Sequence, residues 1–450
     1  MKRIFLAMAL VFSGIDSYSQ MAVQRCVYDE WKEQALAKHP EWMPIEKQRQ
    51  TFINTHALYK EGTAQKSTAA VTIPVVFHIV LNSVQLNQIG GAAGVALRVD
   101  SQMAVLNRDF NGMSLDQAGI PTVFKSLYGN VNISFGLAHT KPNGTSTPGY
   151  EIITTTQSGF SVLSGTVGSQ QAASDAKYSI TGGADAWDPT KYLNIWIVNF
   201  SEGTILGICP PMSWGIGGGF PMAEVGPSIH YKTFGKQGPS QTGFLTGYNG
   251  GRTLVHELGH FFELNHIWGN SPAGSGNCLD DDGIADTPQQ EKDNSNCPTF
   301  PIANCTNSAG GEMFMNYMDY VYDACYKMFT KGQANVMNAD VSSPAGYAYS
   351  LSQNPHLLQF PTSVGNVIQE SEVIIFPNPT TGIITILNNN NSPLKKMMVA
   401  NILGQSVTQF APQDPLSKSH SIDLSELPKG VYSVQCIFAN GTLTKKIIIQ

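Results

Sequence analysis

The chain has 450 residues, enough for two or three domains, and with 42% of them hydrophobic and only 13% charged it is not a disordered polymer. A formal net charge of −6 gives no support to a nucleic-acid surface. Neither the N-terminal apolar run nor any other segment is long enough to span a bilayer.

Residues 1–20 read as a secretory signal, with Lys2 and Arg3 as the charged start, an apolar stretch from Ile4 to Phe12, and small polar residues up to Gln20. Charged helical stretches are expected over 28–38 and 46–60, broken at His39-Pro40 and Met43-Pro44. The polar residues 61–70 read as an exposed, cleavable linker, so that 21–70 form a propeptide. A β-branched strand over 71–80 opens a globular domain. Helical spacing of Leu97, Met103, Val105, Leu106 and Phe110 follows, then a strand over 131–138. Residues 192–200 form the near-continuous apolar run of a buried central strand, and 204–209 and 228–232 are shorter strand candidates. Gly250-Gly251 releases the chain into a helix over 252–264. Strands first and then a long helix give an α+β domain over 71–345. Residues 346–371 read as a linker. Residues 372–450 read as a small β-sandwich, with strands at 373–376, 383–387, 396–400, 431–436 and 443–449 separated by turn signals.

The helix over 252–264 carries His256-Glu257-Leu258-Gly259-His260. Residues four apart share a helix face, so His256 and His260 can aim two imidazoles at one metal ion, with Glu257 one position off that face. In this arrangement two histidines hold Zn²⁺ and the glutamate takes the proton from its water. Export makes the cysteines readable: Cys278, Cys297, Cys305 and Cys325 cluster after the histidines and suggest two disulfides of open connectivity, while Cys26, Cys209 and Cys436 stand apart. Asp280, Asp281, Asp282, Asp286 and Thr287 offer the hard oxygens that Ca²⁺ takes, and equally suit turn caps. The Cys26 thiolate would be a strong zinc ligand.

HELGHFFELNH at 256–266, CLDDDGIADTP at 278–288, MNYMDYVYDACYKMFTKGQ at 315–333 and ADAWDPTKYLNIWIVN at 184–199 resemble the pappalysin family of metzincin zinc proteases. The resemblance implies a twisted mixed sheet with backing helices above, an irregular lower subdomain, and a substrate cleft between them. It implies His256, His260 and His266 as zinc ligands, Glu257 as general base, and Met318 as the packed floor beneath the metal. Tyr320 becomes the hydroxyl that steadies the oxyanion. Asp323 becomes the wall of the pocket for the residue after the scissile bond, favouring Arg or Lys there. Calcium nearby, the pairs Cys278–Cys305 and Cys297–Cys325, and a latency switch at Cys26 are implied as well. One position departs: the family has Gly or Asn where this chain has Glu263. A left-handed conformation there costs a long side chain about 1 kcal/mol. Were the helix to continue, Glu263 would face the same side as His256 and His260 and compete for the metal.

Residues 372–450 resemble the type A C-terminal sorting domain of the Bacteroidetes type IX secretion system, through FPNPTTG at 376–382, NILGQ at 401–405 and LPKGVYSVQ at 427–435. The expectation is a zinc metalloendopeptidase, secreted or attached to the cell surface by the type IX machinery, acting on proteins or peptides. Neither a nucleic-acid partner nor a transmembrane segment is expected. The alternative is an inactive surface adhesin built on a protease-like domain.

Overall fold

The computed structural model describes residues 24–57, 71–360 and 372–450, apart from 114, 204, 306–309, 390–391, 402–403, 413 and 439–440. The expected signal (1–20) and linker (61–70) lie outside the described residues. Two compact units divide the chain, Met1–Phe360 and Pro361–Gln450.

The first unit opens with strand β1 (Gln24–Cys26), helix α1 (Tyr28–Lys38) and helix α2 (Met43–His56). Strand β2 (Val71–Leu81), helices α3 (Ser83–Gln88) and α4 (Gly91–Phe110), and strands β3 (Ile133–Leu137), β4 (Tyr150–Thr154), β5 (Leu193–Val198) and β6 (Ile205–Ile208) follow. Helix α5 (Met212–Gly217), strand β7 (Ser228–His230), and helices α6 (Arg252–Phe261), α7 (Lys331–Ser342) and α8 (Tyr349–Ser352) complete it.

The seven strands make one mixed sheet in the order β1-β6-β7-β5-β2-β3, with β4 also paired to β2. All its pairs are parallel except β6 with β7. Strand β5 is buried at every residue and β2 at all but its first two, as expected for a sheet covered on both faces. Pro74 interrupts β2 without harm because pairing with β5 starts only at Val75. Helix α4 buries Val95, Val99, Leu106 and Phe110; Leu97, counted above as part of the apolar face, is 56% exposed. The helix starts at Gly91, and its earlier turns set that face.

Residues 346–360 belong to this unit rather than to a linker. Ala348 and Leu351 join the main core, and Leu357 packs with Val76, Ala138, Trp187 and Tyr192. These apolar residues are too scattered for a helical period to be visible, so the expected 346–371 linker starts fifteen residues too early.

The second unit has two antiparallel sheets around one core. The first holds β11 (Ser406–Phe410), β10 (Leu394–Ala400), β13 (Gly430–Phe438) and β14 (Thr442–Ile449); the second holds β12 (Ser419–Asp423), β9 (Ile383–Asn388) and β8 (Val373–Phe376). Among the described residues no helix is long and apolar enough to cross a membrane.

Between α6 and α7 the first unit is irregular and stapled by two disulfides, Cys278–Cys305 and Cys297–Cys325, the pairs the family likeness implies. Cys26, Cys209 and Cys436 are free and buried. The first disulfide closes a loop with a sequence separation of 27, which limits the unfolded chain by about 3–4 kcal/mol. Replacing Cys278 and Cys305 together by Ala should lower stability by that amount in thermal or denaturant unfolding. An unchanged midpoint would mean that packing alone holds this region.

Candidate metal centre

Helix α6 is buried along its whole length and anchored at its first turn. The Gly250 and Arg252 amides donate to Asp323 Oδ2 at 2.8 and 3.2 Å, which satisfies amide groups at the helix start and sets a negative charge at its positive end. The Arg252 guanidinium donates to Asp109 at 3.0 Å and to the Asp323 and Tyr326 carbonyls at 2.7 and 3.0 Å. Two glycines make room for the site. A Cβ on Gly259 would sit 2.3 Å from Met318 Sδ, so the methionine packs directly under the helix. A Cβ on Gly207, in β6, would sit 2.3 Å from Glu257 Oε1.

The imidazoles of His256, His260 and His266 converge, fully buried, with His266 Nε2 lying 3.2 Å from His256 Nε2 and 3.0 Å from His260 Nε2. Each outer nitrogen faces an acceptor: Tyr317 O for His256 (2.7 Å), Leu264 O for His260 (2.9 Å) and Asp29 Oδ2 for His266 (2.5 Å). The Nδ1 atoms must therefore carry the protons, which leaves three bare Nε2 lone pairs pointing at one another. Burial first, then neighbouring imidazoles, push His256 and His260 well below their usual pKa, so a proton is a poor solution there. A dication at the shared point fits this donor set. Cys26 Sγ completes a group whose ligand atoms all lie within 4.8 Å of one another, the one such group found among the described residues.

Glu263 does not join them. Helix α6 ends at Phe261, and Glu263 takes φ +78°, the left-handed conformation that Gly or Asn usually fills. Its carboxyl group points elsewhere, accepting from the Ser213 amide at 2.8 Å and the Ser213 hydroxyl at 2.6 Å. Arg49 of α2 donates to the Glu263 carbonyl (2.8 Å) and to Asn265 (2.5 Å) while held by Glu46. The turn therefore delivers His266 to its partners with an unusual residue at the corner, and competition from Glu263 is ruled out by geometry.

Residues 24–29 thread the same site. Arg25 pairs with Asp323 at 3.0 Å and lies over the Tyr326 and Tyr248 rings at 4.5 and 5.3 Å. Cys26 Sγ lies 3.6 Å from Glu257 Oε2, and its carbonyl accepts from the Tyr320 hydroxyl at 2.8 Å. Tyr28 stacks on His260 at 4.1 Å. Glu257 is wholly buried, its Oε1 has no partner, and burial raises it to about 8 although Cys26 and Arg25 pull it down. The acidic segment is looser. Asp280 Oδ2 accepts from the Asn270 amide (2.9 Å), Asp281 from Gly283 (2.8 Å), Asp282 Oδ1 from Ile284 and Thr287, and Asp286 Oδ2 from Gly332. Asp282 Oδ2 and Asp286 Oδ1 are left buried without a hydrogen-bond partner.

The profile of the pregnancy-associated plasma protein-A peptidase family matches residues 179–342. Mature mirolysin of Tannerella forsythia, solved with a cleaved peptide, is 37% identical, with a TM-score of 0.57 over 65% of this chain and 100% of its own. A promirolysin variant of the same organism is 34% identical, with a TM-score of 0.60 over 73% of this chain and 97% of its own. The chain belongs to the pappalysin family. An extracellular metalloprotease of the fungus Arthroderma benhamiae is 38% identical over 146 residues, 32% of this chain and 48% of that protein, so the match spans about half the length of this curated pappalysin relative. Residues 374–450 match the secretion system C-terminal sorting domain. This pappalysin is accordingly a secreted or cell-surface protein.

Sequence reasoning missed Arg25, Asp29, Arg49, Gly207 and Ser213, because each acts only through a partner far away in the chain. The Gln24-Arg25-Cys26 context was the one available signal, a cation directly before the free cysteine. Glu263→Gly offers a test of the turn. It would recover about 1 kcal/mol of backbone strain. It would also strand the buried Ser213 amide and hydroxyl, at about 1–3 kcal/mol each. The expected outcome is a lower melting temperature despite the family-like residue; a higher one would show that strain outweighs the bonds.

Proposed function

We propose that this protein is a zinc endopeptidase made as a latent precursor, with residues 1–20 as signal, 21–70 as propeptide, and His256, His260 and His266 as the zinc ligands. The observation that carries this is the set of three buried imidazoles whose Nε2 atoms converge on one point beside the buried Glu257 carboxylate, one oxygen of which has no partner. Zinc bound there would supply Lewis acidity toward a water molecule and the scissile carbonyl. The chain's own residues do the rest. Glu257, one position off the face of the two helix histidines, accepts the proton of the attacking water and returns it to the leaving amine. The Tyr320 hydroxyl, which reaches a peptide carbonyl at Cys26, steadies the developing oxyanion. Asp323 takes a basic side chain on the residue after the scissile bond, the place that Arg25 fills in the precursor.

Latency follows from the same contacts. Burial, then the Glu257 carboxylate, push the Cys26 thiol well above its usual pKa, so it becomes a thiolate only against a cation. There it takes the position a water would need. Asp29 holds the third histidine's outer nitrogen while the propeptide stays in place. The type IX machinery is the expected carrier, through residues 374–450. Calcium at the acidic loop holding Asp280, Asp281, Asp282, Asp286 and Thr287 has as its support the buried, orphaned oxygens of Asp282 and Asp286. The adhesin alternative gains nothing from the geometry, since Glu263 leaves the imidazoles free.

Glu257→Ala should keep a full complement of zinc by metal analysis yet lose about 100- to 10,000-fold in kcat. Near-normal turnover would sink the mechanism. Asp323→Asn keeps a side chain able to cap α6, so folding should survive. Its kcat/KM for peptides with Arg after the scissile bond should fall about 100-fold relative to peptides with Leu there. An unchanged ratio would place the basic pocket elsewhere. Cys26→Ser should shorten the activation lag of the precursor at equal zinc loading, because a hydroxyl is a far poorer ligand than a thiolate. An identical lag would assign latency to the bulk of the propeptide alone.

A further inference from the structure

The N-terminal segment covers more than the metal centre. Trp31 and Trp42 interlock with Trp214 and Phe220: the Trp31 ring lies 5.0 Å from Trp214 and 5.8 Å from Phe220, and the Trp42 ring 5.6 Å and 5.8 Å from the same two. All four rings are buried, and Ile45 of α2 joins the cluster. The Trp214 indole N–H donates to Glu46 of α2 at 2.9 Å, so its polar end also depends on the segment.

The position of this face follows from the run of the chain. Strand β1 pairs parallel with β6, Gln24 opposite Ile205 and Cys26 opposite Gly207. Helix α5, which holds Trp214, follows the far end of β6. Along the segment the order is Arg25 at Asp323, Cys26 at the imidazoles, Tyr28 on His260 and Trp31 on Trp214. The aromatic face thus lies across the metal centre from the Asp323 pocket. If that pocket receives the residue after the scissile bond, the face meets residues before it.

We propose that Trp214 and Phe220 form a substrate subsite, opened when the segment 24–57 departs, that takes an aromatic or large aliphatic side chain two to four residues before the scissile bond. This deepens the peptidase reading above and rests on it. The ligand chemistry is the one the precursor displays, one ring tilted and one edge-on against an indole, an arrangement worth more than its buried area alone. Apolar discrimination of this kind amounts to about 10- to 200-fold.

The test uses the activated full-length protein and internally quenched peptides with one Xaa–Arg bond, identical except for Trp, Leu, Ser or Glu at one position before it. The Trp and Leu peptides should show kcat/KM at least about 10-fold above the Ser and Glu peptides, mainly through KM. Trp214→Ala should collapse that ratio and Trp214→Phe should keep most of it. Phe220→Ala, with zinc content and melting temperature recorded for every variant, separates loss of the subsite from loss of the fold. Equal cleavage of all four peptides by the wild type would overturn the proposal. So would a wild-type ratio in Trp214→Ala and Phe220→Ala at full zinc content. If no peptide is cut at full zinc loading, the peptidase reading itself fails.

Discussion

Three imidazole nitrogens, with that of His266 within 3.2 Å of both others and each ring's other nitrogen already committed as a donor, form an arrangement that protein atoms alone would not hold. Their lone pairs repel, and burial discourages the proton that would relieve them. Much of the first unit serves this one constraint. Helix spacing brings His256 and His260 together without help. His266 arrives only because the chain leaves the helix after Phe261 and turns at Glu263. Glycine would make that turn more cheaply. Glutamate makes it with a carboxyl group tied to Ser213 in α5 and a carbonyl tied to Arg49 in α2. The corner is therefore braced from two sides, one of which belongs to the N-terminal segment.

That segment behaves as an occupant rather than a plug. Within five residues a guanidinium meets Asp323, a thiol meets the imidazoles and Glu257, a carbonyl meets Tyr320, a ring meets His260 and a carboxylate meets His266. Four residues, Arg25, Cys26, Tyr28 and Asp29, engage every group that the proposed chemistry needs, with Cys26 alone meeting the imidazoles, Glu257 and Tyr320. The engagement is also costly to undo, because the buried Arg25 and Asp29 would have to leave partners in a dry environment. The proposed latency and an intact centre would then be two results of the same contacts.

The motif helix, the buried strands β2 and β5, and all five strands expected in the sorting domain are legible in the sequence because each has a period or an unbroken apolar run. Strands β1, β4, β11 and β12 carry no such signal. Segments such as Ser-His-Ser-Ile-Asp at 419–423 carry too few apolar residues to signal a strand, and form one by pairing. The end of α6 was open in the sequence, since the Glu263 side chain permits either a continued helix or a strained turn; only distant Ser213 and Arg49 decide it. Residues 346–360 read as linker for a related reason, as their burial depends on surfaces supplied by β2 and α7. What local pattern encodes was visible, and what long-range pairing encodes was not.

Asp323 ties the N-terminal segment to the placement of helix α6. One carboxylate oxygen is fixed by the amides at the start of α6, and the other pairs with Arg25. The arginine-binding oxygen thus has little freedom of its own, since moving it would uncap the helix. The same helix carries His256, Glu257 and His260, and its register is set by Arg252 bonding the Asp323 carbonyl. A guanidinium in the pocket and the proposed base over the scissile bond therefore hang from a single turn. On the proposed reading, a side chain that strained Asp323 would displace Glu257 as well, and a poorly matched residue would be penalised both in binding and in chemistry.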